Sequence, residues 1–137
     1  MEPTEHLLAR SRHFTVSHEY ETVLLDRPEG ERLVIGHFYG DPESAIIDWN
    51  EKWVAVAGCG LILYHLRDPY VPYEYDQTTD QWWEAHRSPP ENWSIEQVYQ
   101  VNDVTVRFVV EPETAHAGVY DLNVDSRSIV RVIPGEE

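Results

Sequence analysis

Short stretches rich in β-branched and aromatic residues alternate with polar turn segments along most of this chain. The strand-like runs are residues 14–26, 32–39, 45–48, 52–57, 61–66, 96–101, 104–111, 119–124 and 128–133. The segments between them hold residues that favour tight turns, as at Asn102 and Asp103. Because most consecutive runs are joined by only a few residues, the pattern predicts antiparallel hairpins.

Helical periodicity is confined to two short segments. Residues 4–12, where Thr4 is suited to cap a first turn, and residues 80–86 are too short to carry a fold. We therefore predict a mainly β fold, an antiparallel sandwich or open barrel of about eight or nine short strands with at most short helices. The hairpins are also typical of propeller blades, but a chain of 137 residues supplies only about three blades, too few for a closed propeller.

One long connection interrupts the strand pattern. Residues 67–92 contain four prolines, many polar turn residues and few aliphatic ones. Connections of this length are uncommon inside a compact domain and are often functional or mobile. Since neither flank is large enough to fold alone, we expect one domain over residues 1–137, with residues 134–137 as a flexible tail.

Composition is that of a globular protein from a reducing compartment. Apolar residues make up 42% of the chain and charged residues 26%, which is ordinary for a folded domain. The longest apolar run, residues 53–66, is too short and too interrupted to span a bilayer, and the N-terminus lacks an apolar signal segment. The single cysteine, Cys59, excludes an internal disulfide framework. We therefore expect a cytoplasmic protein.

Charge is the most unusual global feature of the sequence. Twenty-five acidic residues against ten basic ones give a formal net charge of −15. Such a surface repels nucleic-acid phosphates and anionic membranes, so we expect neither as a partner. It attracts a basic protein and accelerates the encounter. An equally open alternative is that the charge only keeps a small domain dispersed in water.

Acidic residues accompany aromatic ones in the long connection. From residue 68 to residue 103 there are eight carboxylates and one base. Tyrosine and tryptophan supply contact area at a small entropic cost, while carboxylates select a cationic partner. The predicted contact surface consists of Tyr73, Tyr75, Asp76, Asp80, Trp82, Trp83 and Glu84. The alternative is that the tryptophans fold back over a sheet as a lid on the core, although two adjacent tryptophans are seldom both buried.

A sugar site uses the same residue types in a different way. Aromatic rings stack on sugar faces, and Asp76, Gln77, Gln81 and Asn92 could hydrogen-bond to hydroxyl groups. The alternative function is therefore a carbohydrate-binding or small-molecule-binding β domain.

Catalytic and metal-binding motifs are weak in this sequence. The seven histidines show no metal-ligand spacing, so we expect no metal and no other cofactor. Cys59 lies between two glycines, where it could act as a nucleophile with His37 or His65 as base, but this pattern is more often a strand end or bulge. We expect a protein that is not an enzyme.

Three stretches carry a resemblance to a known class of proteins: GHFYGDP at 36–42, AIID at 45–48 and WVAVAGCGLILY at 53–64. They resemble small immunity proteins of bacterial contact-dependent and polymorphic toxin systems. The resemblance covers about thirty residues. It implies a cytoplasmic antidote to a toxin, and many such toxins are basic nucleases. We therefore predict a non-enzymatic immunity protein that binds a basic, nuclease-type toxin through its acidic aromatic surface.

Overall fold

A computed structural model describes residues 5–75, 77, 79–87 and 92–134. It contains three four-stranded antiparallel sheets, each built from strands that follow one another along the chain. The first sheet comprises β1 (Glu5–Arg10), β2 (Thr15–Glu19), β3 (Thr22–Asp26) and β4 (Leu33–His37). The central sheet comprises β5 (Ser44–Ile47), β6 (Trp53–Gly58), β7 (Gly60–His65) and β8 (Trp82–Ala85). The third sheet comprises β9 (Ile95–Asn102), β10 (Thr105–Val110), β11 (Gly118–Asn123) and β12 (Ile129–Pro134).

The central sheet is buried on both faces. Every residue of β6 is buried, and so are the first five residues of β7. Side chains alternate along a strand, so one set packs into the core shared with the first sheet: Val54, Val56, Ile62 and Tyr64. The other set packs into the core shared with the third sheet: Trp53, Ala55, Ala57, Leu61 and Leu63. The apolar run at 53–66 is therefore what a sheet covered on both sides requires.

The three sheets form consecutive layers whose first strands adjoin along one side. β1 contacts β5, and β5 contacts β9. The predicted mainly β, antiparallel fold is confirmed, with twelve strands rather than eight or nine. The described residues form three separate meanders and no closed barrel.

Three strands account for the difference in number. The predicted helix at 4–12 is wrong, because Glu5–Arg10 is β1 and pairs with β2. The predicted helical turn at 80–86 is wrong, because Trp82–Ala85 is β8 and pairs with β7. In both segments, pairing with a neighbouring strand outweighs a weak helical propensity. The run at 14–26 is two strands, since Tyr20 adopts a φ of 55° and the chain turns back there.

The C-terminal strand extends further than the sequence predicted. Pro134, expected as the start of a tail, is the last residue of β12, and residues 135–137 lie outside the described part of the chain. Over the residues that the structure describes, no helix is long and apolar enough to cross a membrane.

Strand direction distributes the loops between two ends of the molecule. The upper end carries the turns at 20–21, 38–43, 59, 86–87 and 111–117. The lower end carries the loops at 11–14, 27–32, 48–52, 66–71, 103–104 and 125–128. Residues far apart in the sequence therefore meet at each end.

The long connection is packed onto the fold. It leaves β7 at the lower end, passes along the free side of β4 and returns to begin β8. On this path the Tyr73 N–H donates to the Val34 carbonyl oxygen at 2.8 Å. Buried Gln81 hydrogen-bonds back to the start of the connection. The connection therefore covers one side of the core between the first and central sheets.

Candidate functional site

The residues predicted as a contact surface do not lie together. Tyr73 and Trp82 are each 4% exposed and belong to the core between the first and central sheets. Trp83 packs instead against the core on the other face of the central sheet. The alternative of a lid over the core therefore describes Trp82, whose ring stacks on that of Tyr64 with centroids 6.2 Å apart.

The remaining predicted residues are divided between the two ends. Tyr75 is 66% exposed and lies toward the upper end. Asp80 is exposed near the lower end, where its carbonyl oxygen accepts a hydrogen bond from the Arg67 guanidinium at 2.5 Å. Glu84 is partly buried and engaged in hydrogen bonds of its own. Asp76 lies outside the described residues.

A cleft of about 300 Å³ opens at the upper end beside Tyr75. Its lining comes from the turn after β2, the end of β4 with the turn that follows, the long connection and the segment after β8. The lining residues are Glu21, His37, Phe38, Tyr39, Tyr75 and Arg87. The Tyr39 side chain is 67% exposed, so two open tyrosine rings border this cleft. We call it the tyrosine cleft.

Arg87 forms one wall of the tyrosine cleft and is held there by several partners. Its Nε donates to the Glu84 carboxylate at 2.9 Å, and its Nη1 donates to the Cys59 carbonyl oxygen at 3.0 Å. Its Nη2 donates to the His37 carbonyl oxygen. The guanidinium carbon also lies 4.3 Å from the centroid of the Phe38 ring, a cation–π distance. Arg87 therefore ties the central sheet to the end of β4, and Glu84 offsets its charge.

Glu21 fixes the turn that carries Tyr39. Its carboxylate accepts a hydrogen bond from the Gly40 N–H at 2.7 Å, and its carbonyl oxygen accepts one from the Phe38 N–H at 2.9 Å. Gly40 has a φ of +77°, a conformation that favours glycine. These contacts hold Tyr39 at the edge of the cleft on an ordered turn.

Buried Tyr73 supports the tyrosine cleft from below. The edge of its ring contacts His37, with centroids 5.9 Å apart. Its hydroxyl donates to the Glu84 carboxylate at 2.8 Å. Burial, and then the neighbouring Glu84 carboxylate, raise the pKa of Tyr73 to about 12. Tyr73 and Glu84, which the sequence placed in the contact surface, therefore position His37 and Arg87 around the cleft.

Charge is unevenly divided between the two ends. The described residues of the upper turns include one base, Arg87, whereas the lower loops contain Arg12, Arg27, Arg32, Lys52, Arg67 and Arg127. Exposed acids of the upper end and of the adjoining connection are Glu21, Asp41, Glu43, Glu74 and Glu113. No ion pair found among the described residues includes any of them. The negative surface thus gathers from several parts of the chain rather than from the long connection alone.

The structure separates other candidate residues. Cys59 precedes β7 and His65 ends it, so the two lie about 20 Å apart along a strand of this length. His37, the other histidine considered as a base, lies at the same end as Cys59, and Arg87 bonds to the backbone carbonyl oxygens of both. The Cys59 thiol accepts a hydrogen bond from the Asn92 amide at 3.4 Å. Gln81, a candidate for sugar binding, is buried and bonded to backbone groups. Across the described positions, no group of three His, Cys, Asp or Glu side chains is arranged to hold a metal ion.

Sequence reasoning missed most of the tyrosine cleft. The sequence predicted Tyr39 as the last residue of the strand run at 32–39, whereas β4 ends at His37 and Tyr39 lies in the turn that follows. Nothing in the local sequence joins that turn to Glu21 or Arg87, since strand packing brings them together. No family model matches the chain, and neither curated proteins nor solved structures provide a match.

Proposed function

We propose that this chain is a non-enzymatic binding protein that captures a basic protein at its upper end. The observation that carries the proposal is the tyrosine cleft among exposed carboxylates, beside a single base that Glu84 already neutralises. The resemblance in the sequence suggests a specific form of this function. In that form the chain is a bacterial cytoplasmic immunity protein that neutralises a basic, nuclease-type toxin.

Exposed tyrosines support the proposal because they are suited to protein recognition. Tyr39 and Tyr75 each leave about two thirds of the side chain open to solvent. Tyrosine buries a large area when a partner arrives and loses only two side-chain torsions, which is why it is enriched at binding hot spots. Anchoring of the turns by Glu21 and Arg87 reduces the ordering cost further.

The carboxylates support the proposal through long-range attraction. A cluster of one sign of charge steers an oppositely charged protein toward its binding site and raises the association rate, an effect that salt screens. A basic partner would meet the upper end preferentially, because the bases of the lower loops weaken the attraction there. We expect a nanomolar complex whose association slows steeply with added salt.

A second candidate function is binding of a small molecule in the tyrosine cleft. Its aromatic lining favours this alternative, since ligand pockets are mostly apolar with a few polar groups. At about 300 Å³, however, the cleft lies at the lower limit of such pockets. A thermal-shift screen of sugars and metabolites separates the two functions, because a ligand of the folded state raises the melting temperature.

The proposed function is tested by reversing three acidic charges at the upper end and comparing the effect on binding with that of three reversals at the lower end. The test variant is Asp41→Lys/Glu43→Lys/Glu74→Lys, and the control at the lower end is Glu29→Lys/Asp103→Lys/Asp125→Lys. Each variant changes the net charge from −15 to −9, because each substitution adds two positive charges. Any difference between the two therefore reports where the charge lies rather than how much there is.

Binding is measured by biolayer interferometry against the products of the genes adjacent to this one, each expressed separately. We expect one of them, a basic protein, to bind the wild type. The upper-end variant should lose about tenfold or more in association rate at low salt, and the control about twofold or less. Equal effects of the two variants would contradict the proposal, as would the absence of binding to every basic product.

A further inference from the structure

We infer that the tyrosine cleft is a socket for one cationic side chain of the partner, with arginine favoured over lysine. The inference rests on the proposed function, because it names the chemical group by which the upper end would hold a basic protein. It goes further by assigning that group to one cleft and to three side chains: Glu21, Tyr39 and Tyr75.

Charge inside the cleft favours a cation over an anion. Arg87 is the one positive group of the lining that the structure describes, and it donates three N–H groups to the Glu84 carboxylate and two backbone carbonyl oxygens. Among the described residues, Glu21 is the one carboxylate of the lining, and it is exposed. A carboxylate accepts more hydrogen bonds than the single one from Gly40, so Glu21 can receive an N–H donor from a ligand.

The surroundings of the cleft reinforce that preference. Glu74 adjoins Tyr75 in the chain, and Asp41 lies two residues beyond Tyr39, both of them exposed. Neither takes part in an ion pair among the described residues. An anionic ligand would approach against these charges, whereas a cation is drawn in by them.

The aromatic walls favour the guanidinium group among cations. A cation within about 6 Å of a ring centroid is attracted by the negative face of the ring. A guanidinium is planar and weakly hydrated, so it also stacks on an aromatic face, while an ammonium keeps its water more strongly. Two open tyrosine rings beside one carboxylate supply both a stacking surface and a hydrogen-bond acceptor.

The size of the cleft suits a single side chain. Its volume of about 300 Å³ is at the lower limit for pockets that enclose a free ligand. A long side chain presented by a partner needs less enclosure, because the surrounding interface supplies the rest of the binding energy. Within the complex this side chain would therefore act as an anchor.

The test uses small probes on the intact protein, so that it does not depend on the unidentified partner. N-acetyl-arginine amide, its lysine analogue and its neutral citrulline analogue are titrated into ¹⁵N-labelled protein and followed by NMR. We expect arginine amide to bind weakly and to shift the amides of Glu21, Tyr39, Tyr75 and Arg87. The lysine analogue should bind less tightly, and citrulline amide at least about fivefold less tightly than arginine amide.

Three variants assign the contributions within the cleft. Tyr39→Ala and Tyr75→Ala should each weaken the binding of arginine amide about threefold. Tyr99 is an exposed tyrosine on the third sheet, so Tyr99→Ala should leave the affinity for arginine amide unchanged. Glu21→Gln keeps an acceptor for the Gly40 N–H but removes the charge. It should reduce the preference for arginine over citrulline to less than about twofold.

The possible outcomes separate this inference from the proposed function. Equal affinities for the arginine and citrulline amides, or NMR chemical-shift changes centred on the lower end, would overturn the socket inference. If a basic partner binds in a charge-dependent way and Tyr39→Ala and Tyr75→Ala leave its affinity undiminished, the socket inference is wrong and the proposed function stands. Arginine amide that binds as expected, with no basic partner bound at the upper end, would support the socket and contradict the proposed function.

Discussion

Gln81 holds the two ends of the long connection together, and its replacement by alanine tests whether this segment is a fixed part of the fold. Its side chain is 6% exposed. Nε2 donates to the carbonyl oxygens of His65 at 2.7 Å and Arg67 at 3.0 Å, and Oε1 accepts from the Val71 N–H at 3.3 Å. In the alanine variant all three backbone groups lose this partner.

The expected loss follows from those three hydrogen bonds. Each contributes about 1 kcal/mol net to stability in a typical fold. Arg67 and Val71 are exposed, so water can replace part of what is lost there, whereas the bond to His65 is better shielded. We therefore expect Gln81→Ala to lower the free energy of unfolding by about 2–3 kcal/mol.

Urea unfolding at pH 7 measures that loss, and hydrogen exchange shows where it acts. The amide of Tyr73, which is bonded to Val34 across the connection, should exchange about 5- to 30-fold faster than in the wild type. Gln77→Ala is the matched control, because Gln77 lies exposed in the same connection. If Gln81→Ala and Gln77→Ala had the same unfolding midpoint and the same protection at Tyr73, the connection would not be anchored as described.

Three other substitutions test contacts elsewhere, each by urea unfolding. Glu51→Gln should cost about 1–2 kcal/mol at pH 7, because hydrogen bonds led by the Ser11 hydroxyl lower the pKa of Glu51 from 4.5 to about 2. The stability difference between wild type and variant should shrink as the pH falls from 4.5 toward 2, and a constant difference would refute this. Gly60→Ala should cost about 2–4 kcal/mol, since a Cβ there meets two carbonyl oxygens at 2.7 and 2.8 Å. Gly40 has a similar φ but open space around it, so Gly40→Ala should cost about 1 kcal/mol, and equal costs would disprove the steric argument. Tyr73→Phe should cost about 1 kcal/mol at neutral pH. Because burial raises the pKa of Tyr73 from 10 to about 12, the wild type loses stability relative to the variant over that pH range, so the gap should close and then reverse, and a constant gap would refute the shift.

The strands and their pairing were largely predictable from the sequence. The hairpin over residues 45–57 and the apolar strand at 61–66 lie where alternation places them, and the turn expected at Asn102 and Asp103 lies one residue later, at 103–104. These features are local, since side-chain alternation and turn preference act between residues a few positions apart. The errors at Glu5–Arg10 and Trp82–Ala85 arose where a pairing partner, absent from the local sequence, decides between helix and strand.

The candidate site was not predictable in the same way. Tyr75 was selected from the sequence because it is aromatic and lies beside acids, but Tyr73 and Trp82 met the same criteria and are buried. Composition cannot distinguish the exposed tyrosine from the two buried aromatic residues. Their burial depends on which side of the connection faces β4 and the central sheet.

The sequence by itself determined the net charge of −15, the β class and the apolar strands within residues 53–66. Only the tertiary structure decided that Glu21, Tyr39, Tyr75 and Arg87 line one cleft. It also decided that most loop bases lie at the lower end, which leaves the exposed acids of the described upper turns with Arg87 as the base among them. The physical reason is that alternation along a strand is a property of adjacent residues, whereas the meeting of distant turns depends on the direction and stacking of whole sheets.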